Sequence, residues 1–234
     1  AYRDFDRTNL HTHGLHVSSV APQDDIFIEV GPGQSYTYTY SIPADHMGGT
    51  FWYHPHHHGS TNVQAGGGAV GALIVEDPPG TLPPAVEALE EMVLLMHHFD
   101  MPELTAVSQE YTADCVAHGG SAAACADAVF GNGATTGTQT NSVLVNGMTQ
   151  PTMSIAANRW YRWRLIYAAA DGIITPALAT CEVGLLAKDG IYLHTAPRTI
   201  TAGYMGPGSR ADWLIRCPAG THAFTAAGGG GGGG

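Results

Sequence analysis

Basic residues are scarce in this chain. Its 234 residues include 9 Lys+Arg against 20 Asp+Glu, a formal net charge of −11. No lysine or arginine falls between Thr8 and Asn158. A nucleic-acid partner needs a basic face to meet phosphates, so that class of function is excluded. The acidic balance fits a solvated surface or a field that favours cations. Charged residues of both signs make up only 12%, while apolar residues reach 44%. That combination excludes a disordered polyelectrolyte and leaves material for a core. No apolar run approaches the ~18 residues of a membrane-spanning helix. Residues 1–7 lack the basic and apolar segments of a secretory signal, so none is expected there. Cysteine is limited to Cys115, Cys125, Cys181 and Cys217, none beside a histidine.

Turn formers are abundant: 31 Gly and 14 Pro, too many for a helical bundle. With Tyr, Thr, Val and Ile between them, the composition is that of an all-β protein. At roughly 150 residues per domain the length allows one or two domains. Strand-like segments follow closely at 8–13, 26–30, 35–41 (Ser-Tyr-Thr-Tyr-Thr-Tyr-Ser), 50–54 and 69–76, as in a sandwich. The run Asp77-Pro78-Pro79-Gly80-Thr81-Leu82-Pro83-Pro84 reads as a linker. A second series occupies 91–97, 142–146, 152–156, 160–167, 182–187, 191–194, 198–201 and 212–217. Within 159–166 the residues alternate as on a half-exposed strand. The expected organisation is a domain at 1–77, a linker at 78–87 and a domain at 88–227. The second domain carries an irregular Ala/Gly/Thr-rich insertion at about 112–140. The terminal Gly228–Gly234 run is expected to be a disordered tail.

Histidine is the informative residue. Of 13, eight lie between His11 and His58, which makes a metal site the first hypothesis. In His11-Thr12-His13, a strand's period of two puts both imidazoles on one face. His54-Pro55-His56 repeats the device, with Pro55 marking an edge or strand end. If the two strands meet, four imidazoles converge, a donor set suited to Zn, Cu, Fe or Ni. His57 and His58 are expected beside the site or in solvent. His16, His46, His97, His98, His118, His194 and His222 are expected to be ordinary surface or core residues, and Tyr36, Tyr38 and Tyr40 a packed sheet face.

Asn9-Leu10-His11-Thr12-His13-Gly14-Leu15 resembles the first copper motif of the multicopper oxidases, the laccase, ascorbate oxidase and bilirubin oxidase group. Gly49-Thr50-Phe51-Trp52-Tyr53-His54-Pro55-His56-His57-His58-Gly59 resembles their second. Gly71-Ala72-Leu73-Ile74-Val75-Glu76-Asp77 is similar to the strand that closes their first cupredoxin (plastocyanin-like) domain. Val145-Asn146-Gly147, Trp160-Tyr161-Arg162-Trp163-Arg164 and Gly208-Ser209-Arg210-Ala211-Asp212 are similar to landmarks of the second. The resemblance implies two Greek-key β-sandwiches, the first without its opening strands. It implies His11 as a ligand of type 2 copper, and His13, His54 and His56 as ligands of the type 3 pair. The implied activity is one-electron oxidation of a small reducing substrate coupled to four-electron reduction of O2 to water. An acid after the first motif assists proton delivery in that family; here either Asp24 or Asp25 stands in that place.

The sequence departs from the family in three respects. No HxH pair lies outside these two motifs, no cysteine is flanked by histidine as a type 1 copper site requires, and the first motif begins already at His11. The chain therefore reads as a piece with half of a trinuclear site and no type 1 site. Its cysteines fit two disulfides, Cys115 with Cys125 and Cys181 with Cys217, or four buried thiols. Disulfides and the family habit favour a secreted or otherwise extracytoplasmic location. A copper-binding module without turnover is the competing reading. A zinc hydrolase with an HxHxDH pattern is disfavoured because Leu15 stands where its Asp belongs. A cupin is disfavoured because no Glu follows either pair within ten residues.

Overall fold

The computed structural model describes residues 6–99, 101–125 and 142–229. Three strands form the first sheet, in the order β1 (His11–His13), β2 (Gly49–His54) and β3 (Gly71–Val75). Both pairings are antiparallel. A short helix α1 (Thr61–Gly66) connects β2 to β3, and α2 (Pro84–Glu87) lies within the Pro-rich linker. Proline at its first turn suits α2, because the missing N–H has no helical partner there.

The second sheet has seven strands: β4 (Glu90–Phe99), β5 (Ser142–Val145), β6 (Trp160–Ala168), β8 (Glu182–Lys188), β9 (Ile191–Tyr192), β10 (Arg198–Thr199) and β11 (Arg210–Arg216). Its main path runs β10-β8-β11-β6-β4-β5, with β9 paired to β8, and β4 lies parallel to β6. A two-stranded ribbon of β7 (Ile173–Ala177) and β12 (Thr225–Gly229) covers one face. Leu94, Met96, Trp163, Leu165, Tyr167, Ile174, Leu178, Trp213 and Ile215 fill the core between them.

Strand β6 is buried on both faces rather than half-exposed. Trp163, Leu165 and Tyr167 face the core, while the intervening Arg162 and Arg164 are buried beneath the first sheet. Arg162 donates to Asp212 (Nε–Oδ2 3.0 Å), Asp77 (3.0 Å) and Glu91 (3.1 Å). Arg164 donates to both oxygens of Glu91 and to Thr50 Oγ1. Thr50, on β2, donates in turn to Asp212 Oδ1 at 2.6 Å. Burial of these charges is tolerable because each is paired and hydrogen-bonded. Trp52 of β2 adds apolar contact, packing against Ile166, Ala168 and Val93.

Several expected strands are absent. Residues 26–30 make only a single bridge, Val30 to Thr8, and 35–41 run extended without a ladder. Among the described residues their β-branched and aromatic side chains find no neighbouring strand to pair with, and β-propensity is realised only in a ladder. Instead the Tyr36 ring meets Tyr38 edge-on, with centroids 4.8 Å apart, and Tyr40 stacks on Tyr38 at 6.1 Å. Residues 152–156 are likewise not a strand. The insertion expected as irregular from 112 begins inside a helix, α3 (Met101–Ala117); its positions 126–140 lie outside the described residues. Gly228 and Gly229, expected in a disordered tail, pair with Ile174 and Ile173, and the remaining glycines lie outside the described residues.

Candidate metal centre

Strands β1 and β2 pair antiparallel, with His11 opposite His54 and His13 opposite Trp52. Residues directly opposed in an antiparallel pair share a face. His11, His13, His54 and Trp52 therefore project together, and Thr12 and Tyr53 point away. His56 follows the end of β2, where Asn9 fixes it: Asn9 Oδ1 accepts from the His56 N–H at 2.6 Å, and Asn9 Nδ2 donates to the Ile26 carbonyl at 2.7 Å. The ring centroid of His11 lies 5.5 Å from His13, 5.2 Å from His54 and 5.2 Å from His56. His54 and His56 are 5.8 Å apart. One ligating nitrogen each from His11, His13 and His54 falls within 4.8 Å of the others. All four histidines expected as ligands are thus brought to one place.

Two of the rings are oriented by hydrogen bonds to groups beside the cluster. His11 Nδ1 donates to Asp24 Oδ2 at 2.8 Å, and Asp24 Oδ1 accepts from the Thr12 N–H at 2.7 Å. This leaves the lone pair of His11 on Nε2. His54 Nδ1 donates to the Pro55 carbonyl at 2.9 Å, again leaving Nε2 free, 3.3 Å from His13 Nδ1. The Trp52 ring stacks on His54 (4.2 Å) and on His13 (5.1 Å). The second sheet closes the other side: a Cβ on Gly208 would meet His13 Cε1 at 2.7 Å. Arg210, which donates to the Thr50 carbonyl at 3.1 Å, lies against Gly14.

The electrostatics suit a cation. Burial first, then the Arg210 guanidinium and the other imidazoles, push His13 down to about 3. Burial also lowers His54 to about 4, against the opposing bond to the Pro55 carbonyl. These rings are neutral at ordinary pH, with lone pairs available. Burial alone would raise the Asp24 carboxyl, but the bonds from His11 and Thr12 outweigh it and hold it below the usual carboxylate range. Asp24 is therefore the anion beside the cluster. Asp25 points elsewhere, accepting from the Phe27 N–H at 2.9 Å.

His57 is buried, with Nδ1 3.3 Å from Ser60 Oγ, and His58 is exposed against Phe27. Asn9 and Trp52 were not singled out as site residues by the sequence. Their places inside the two histidine motifs were the signal available. Cys115–Cys125 and Cys181–Cys217 are both disulfides.

Residues 5–80 match the multicopper oxidase family model. The chain is 25% identical to Laccase-4 of Thanatephorus cucumeris over 92% of its own length and 42% of that protein. Among solved structures it is similar to a multi-copper oxidase from Pseudomonas thermotolerans, with a TM-score of 0.63 and 25% identity. That match covers 92% of this chain and 46% of the other. It also shares the fold of Fet3p, a multicopper oxidase that functions in iron import, with a TM-score of 0.70, 19% identity, and coverage of 95% and 38%. The chain thus spans less than half the length of these relatives. The mostly β architecture is the cupredoxin-like fold of the multicopper oxidases, and the resemblance to that family extends over nearly the whole chain.

Proposed function

We propose that this chain contributes His11, His13, His54 and His56 to a copper centre of a laccase-like oxidoreductase. In the full reaction a small reducing substrate gives up single electrons and O2 accepts four, forming water. The observation that carries the reading is the antiparallel pairing of β1 with β2, which groups His11, His13 and His54, with His56 just past the strand end 5.2 Å from His11 and 5.8 Å from His54. The donor set fits copper: burial holds His13 and His54 neutral, and the Asp24 and Pro55 bonds engage Nδ1 of His11 and of His54, leaving Nε2 of each for a metal. We assign His11 to a type 2 ion and the other three to a type 3 pair. Copper when bound would supply the electron-transfer and oxygen-binding chemistry. The chain's own residues orient the rings, exclude water with Trp52, and hold a carboxylate beside the cluster. Asp24, rather than Asp25, is the proton-delivery acid in this reading, because it touches His11.

The two regions 1–77 and 88–227 act here as the family's first two domains. The paired disulfides support an extracytoplasmic location. They also favour a second reading for this chain alone. With all four cysteines bonded to each other, none offers a thiolate to a blue copper, so this chain binds copper without turnover. The test is to load the purified chain with copper and follow stoichiometry, visible absorption and O2 uptake with a phenolic donor. Copper uptake abolished by His11→Ala with His54→Ala supports the site. Uptake unchanged by the pair of substitutions refutes it. Blue absorption or steady O2 consumption overturns the second reading.

A further inference from the structure

The Cys181–Cys217 bridge sits beside a third metal-ligating side chain. Cys181 follows the turn before β8, and Cys217 follows the last residue of β11, strands paired in register from Glu182 to Arg216. The bridge therefore ties the ends of two central strands. His222, read from sequence as ordinary, folds back over it. One sulfur from each cysteine and one nitrogen from His222 lie within 4.8 Å of one another. The imidazole is held at both ends. Nε2 donates to the Pro218 carbonyl at 2.9 Å, and in the neutral ring Nδ1 accepts from Thr180 Oγ1 at 2.7 Å. The unprotonated nitrogen is thereby fixed on Nδ1, and only a hydroxyl rotor has to turn away to free it.

A second observation is independent of that cluster. A cavity of about 850 Å³ opens onto it, lined by Cys217 and His222 and also by Met96, Met153 and Phe224. A small reductant or ion can therefore approach the bridge from the cavity, and two thioethers line the same space.

We infer that Cys181, Cys217 and His222 form a redox-masked site for a thiophilic cation of the Cu(I) type, closed while the disulfide is intact and opened by its reduction. Two thiolates and one imidazole suit soft d¹⁰ cations, which tolerate three-coordination. The unmasking step balances with an external phosphine. The phosphine attacks one sulfur, the S–S bond breaks, and water supplies the oxygen and two protons. The products are a phosphine oxide and two thiols. Cu(I) then displaces both thiol protons. The strand ends next to the bridge are also held by the β8–β11 ladder, which pairs Glu182 with Arg216.

This inference is independent of the histidine centre at β1 and β2. Its test uses the full chain carrying Cys115→Ser and Cys125→Ser, so that only one disulfide is present, with His54→Ala to weaken the other site. Cu(I) is titrated against a chromophoric chelator before and after phosphine treatment, with circular dichroism to follow folding. The expected result is one additional Cu(I) per chain after reduction, with affinity falling at least tenfold in His222→Ala. Three outcomes overturn it: no gain on reduction, an equal gain in His222→Ala, or a gain accompanied by loss of the β signal, which an unfolded dithiol would give.

Discussion

The two regions of this molecule are held together by different means. The second has a continuous apolar core running from Leu94 through Trp163 and Trp213 to Met205. The first has three strands, and its apolar burial centres on Phe51 and Trp52, the latter pressed against the second region. Much of its order comes from polar ties: Asn9 to His56, Asp24 to His11 and Thr12, Thr50 to Asp212. In the proposed reading four imidazoles stay open to a cation, and a region built that way cannot fill the same space with leucines. It gains rigidity from hydrogen bonds and from a neighbour that does have a core.

The most severe way to break this arrangement is at the shared charge. Asp212 is 2% exposed and receives Arg162, Arg164 and Thr50. Asp212→Ala leaves two buried guanidiniums short of a partner and is expected to cost about 3–5 kcal/mol. Urea unfolding should show both regions destabilised together, because β2 and β6 lose the same partner. A loss under about 1 kcal/mol, or one region melting while the other keeps its midpoint, would contradict the idea that this carboxylate joins them.

Trp52→Ala comes next. It removes a large side chain, 3% exposed, from the contact with Ile166 and Ala168, and large-to-small core changes of this kind cost roughly 3 kcal/mol or more. It also strips the stacking surface from His54 and His13. Copper affinity should fall along with stability. Affinity that stays at the parent value would show that the rings are held by their hydrogen bonds alone.

The site was more legible in the sequence than the elements around it, for a physical reason. A period of two is enough to place His11 and His13 on one face, and the β1–β2 register then brings His54 alongside. Residues 26–30 and 35–41 carry the same kind of strand signal, yet among the described residues they form no ladder beyond one bridge. Propensity states what a segment tolerates, and tertiary neighbours decide whether the ladder forms. Helix α3 was missed because its apolar residues do not gather into one stripe. The arginines of β6 read as solvent-facing because a buried cation is improbable until its partners, Asp77, Glu91 and Asp212, are known to converge from three places in the chain.

Asp24→Asn separates charge from shape. The amide keeps the shape, but its single oxygen can accept from only one of the Thr12 N–H and the His11 Nδ1–H, and the anion behind the ring is gone. Removal of a carboxylate partner of a metal-ligating histidine typically lowers metal affinity 10- to 100-fold. Isothermal titration with copper should show that drop with little change in the melting temperature. Asp25→Asn, which alters only the cap on Phe27, should leave affinity untouched. Equal effects from the two would remove the distinction between them.

Acid should act on the first region. His13 and His54 are held down to about 3 and about 4 by burial and their neighbours, against an ordinary histidine near 6.5. Above pH 6.5 neither the folded nor the unfolded chain binds the extra protons, so stability is flat with respect to these two groups. Below 6.5 the unfolded chain takes up protons that the folded site refuses. The metal-free chain should therefore lose stability progressively from about pH 6.5 toward the range of the folded values. Replacing both histidines by Gln should flatten that slope. A slope that survives the replacement would place its origin elsewhere.

The smallest effect is expected at the exposed pair on the second region. Arg216 forms a two-pronged bridge to Glu182, with both hydrogen bonds at 2.9 Å, and lies over the Trp160 ring. Its geometry is as good as that of the buried network, but the side chains are 38% and 60% exposed. Water competes for both charges and salt screens them, so a double-mutant cycle on Arg216→Ala and Glu182→Ala should give a coupling of at most about 1 kcal/mol, falling with added salt. The contrast with Asp212 then isolates burial as the variable, since each pair joins an arginine and a carboxylate at similar distances. A coupling above about 2 kcal/mol would mean that bidentate geometry, and not exclusion of water, sets the strength of the ties in both places. The central role given to Asp212 would then need another cause.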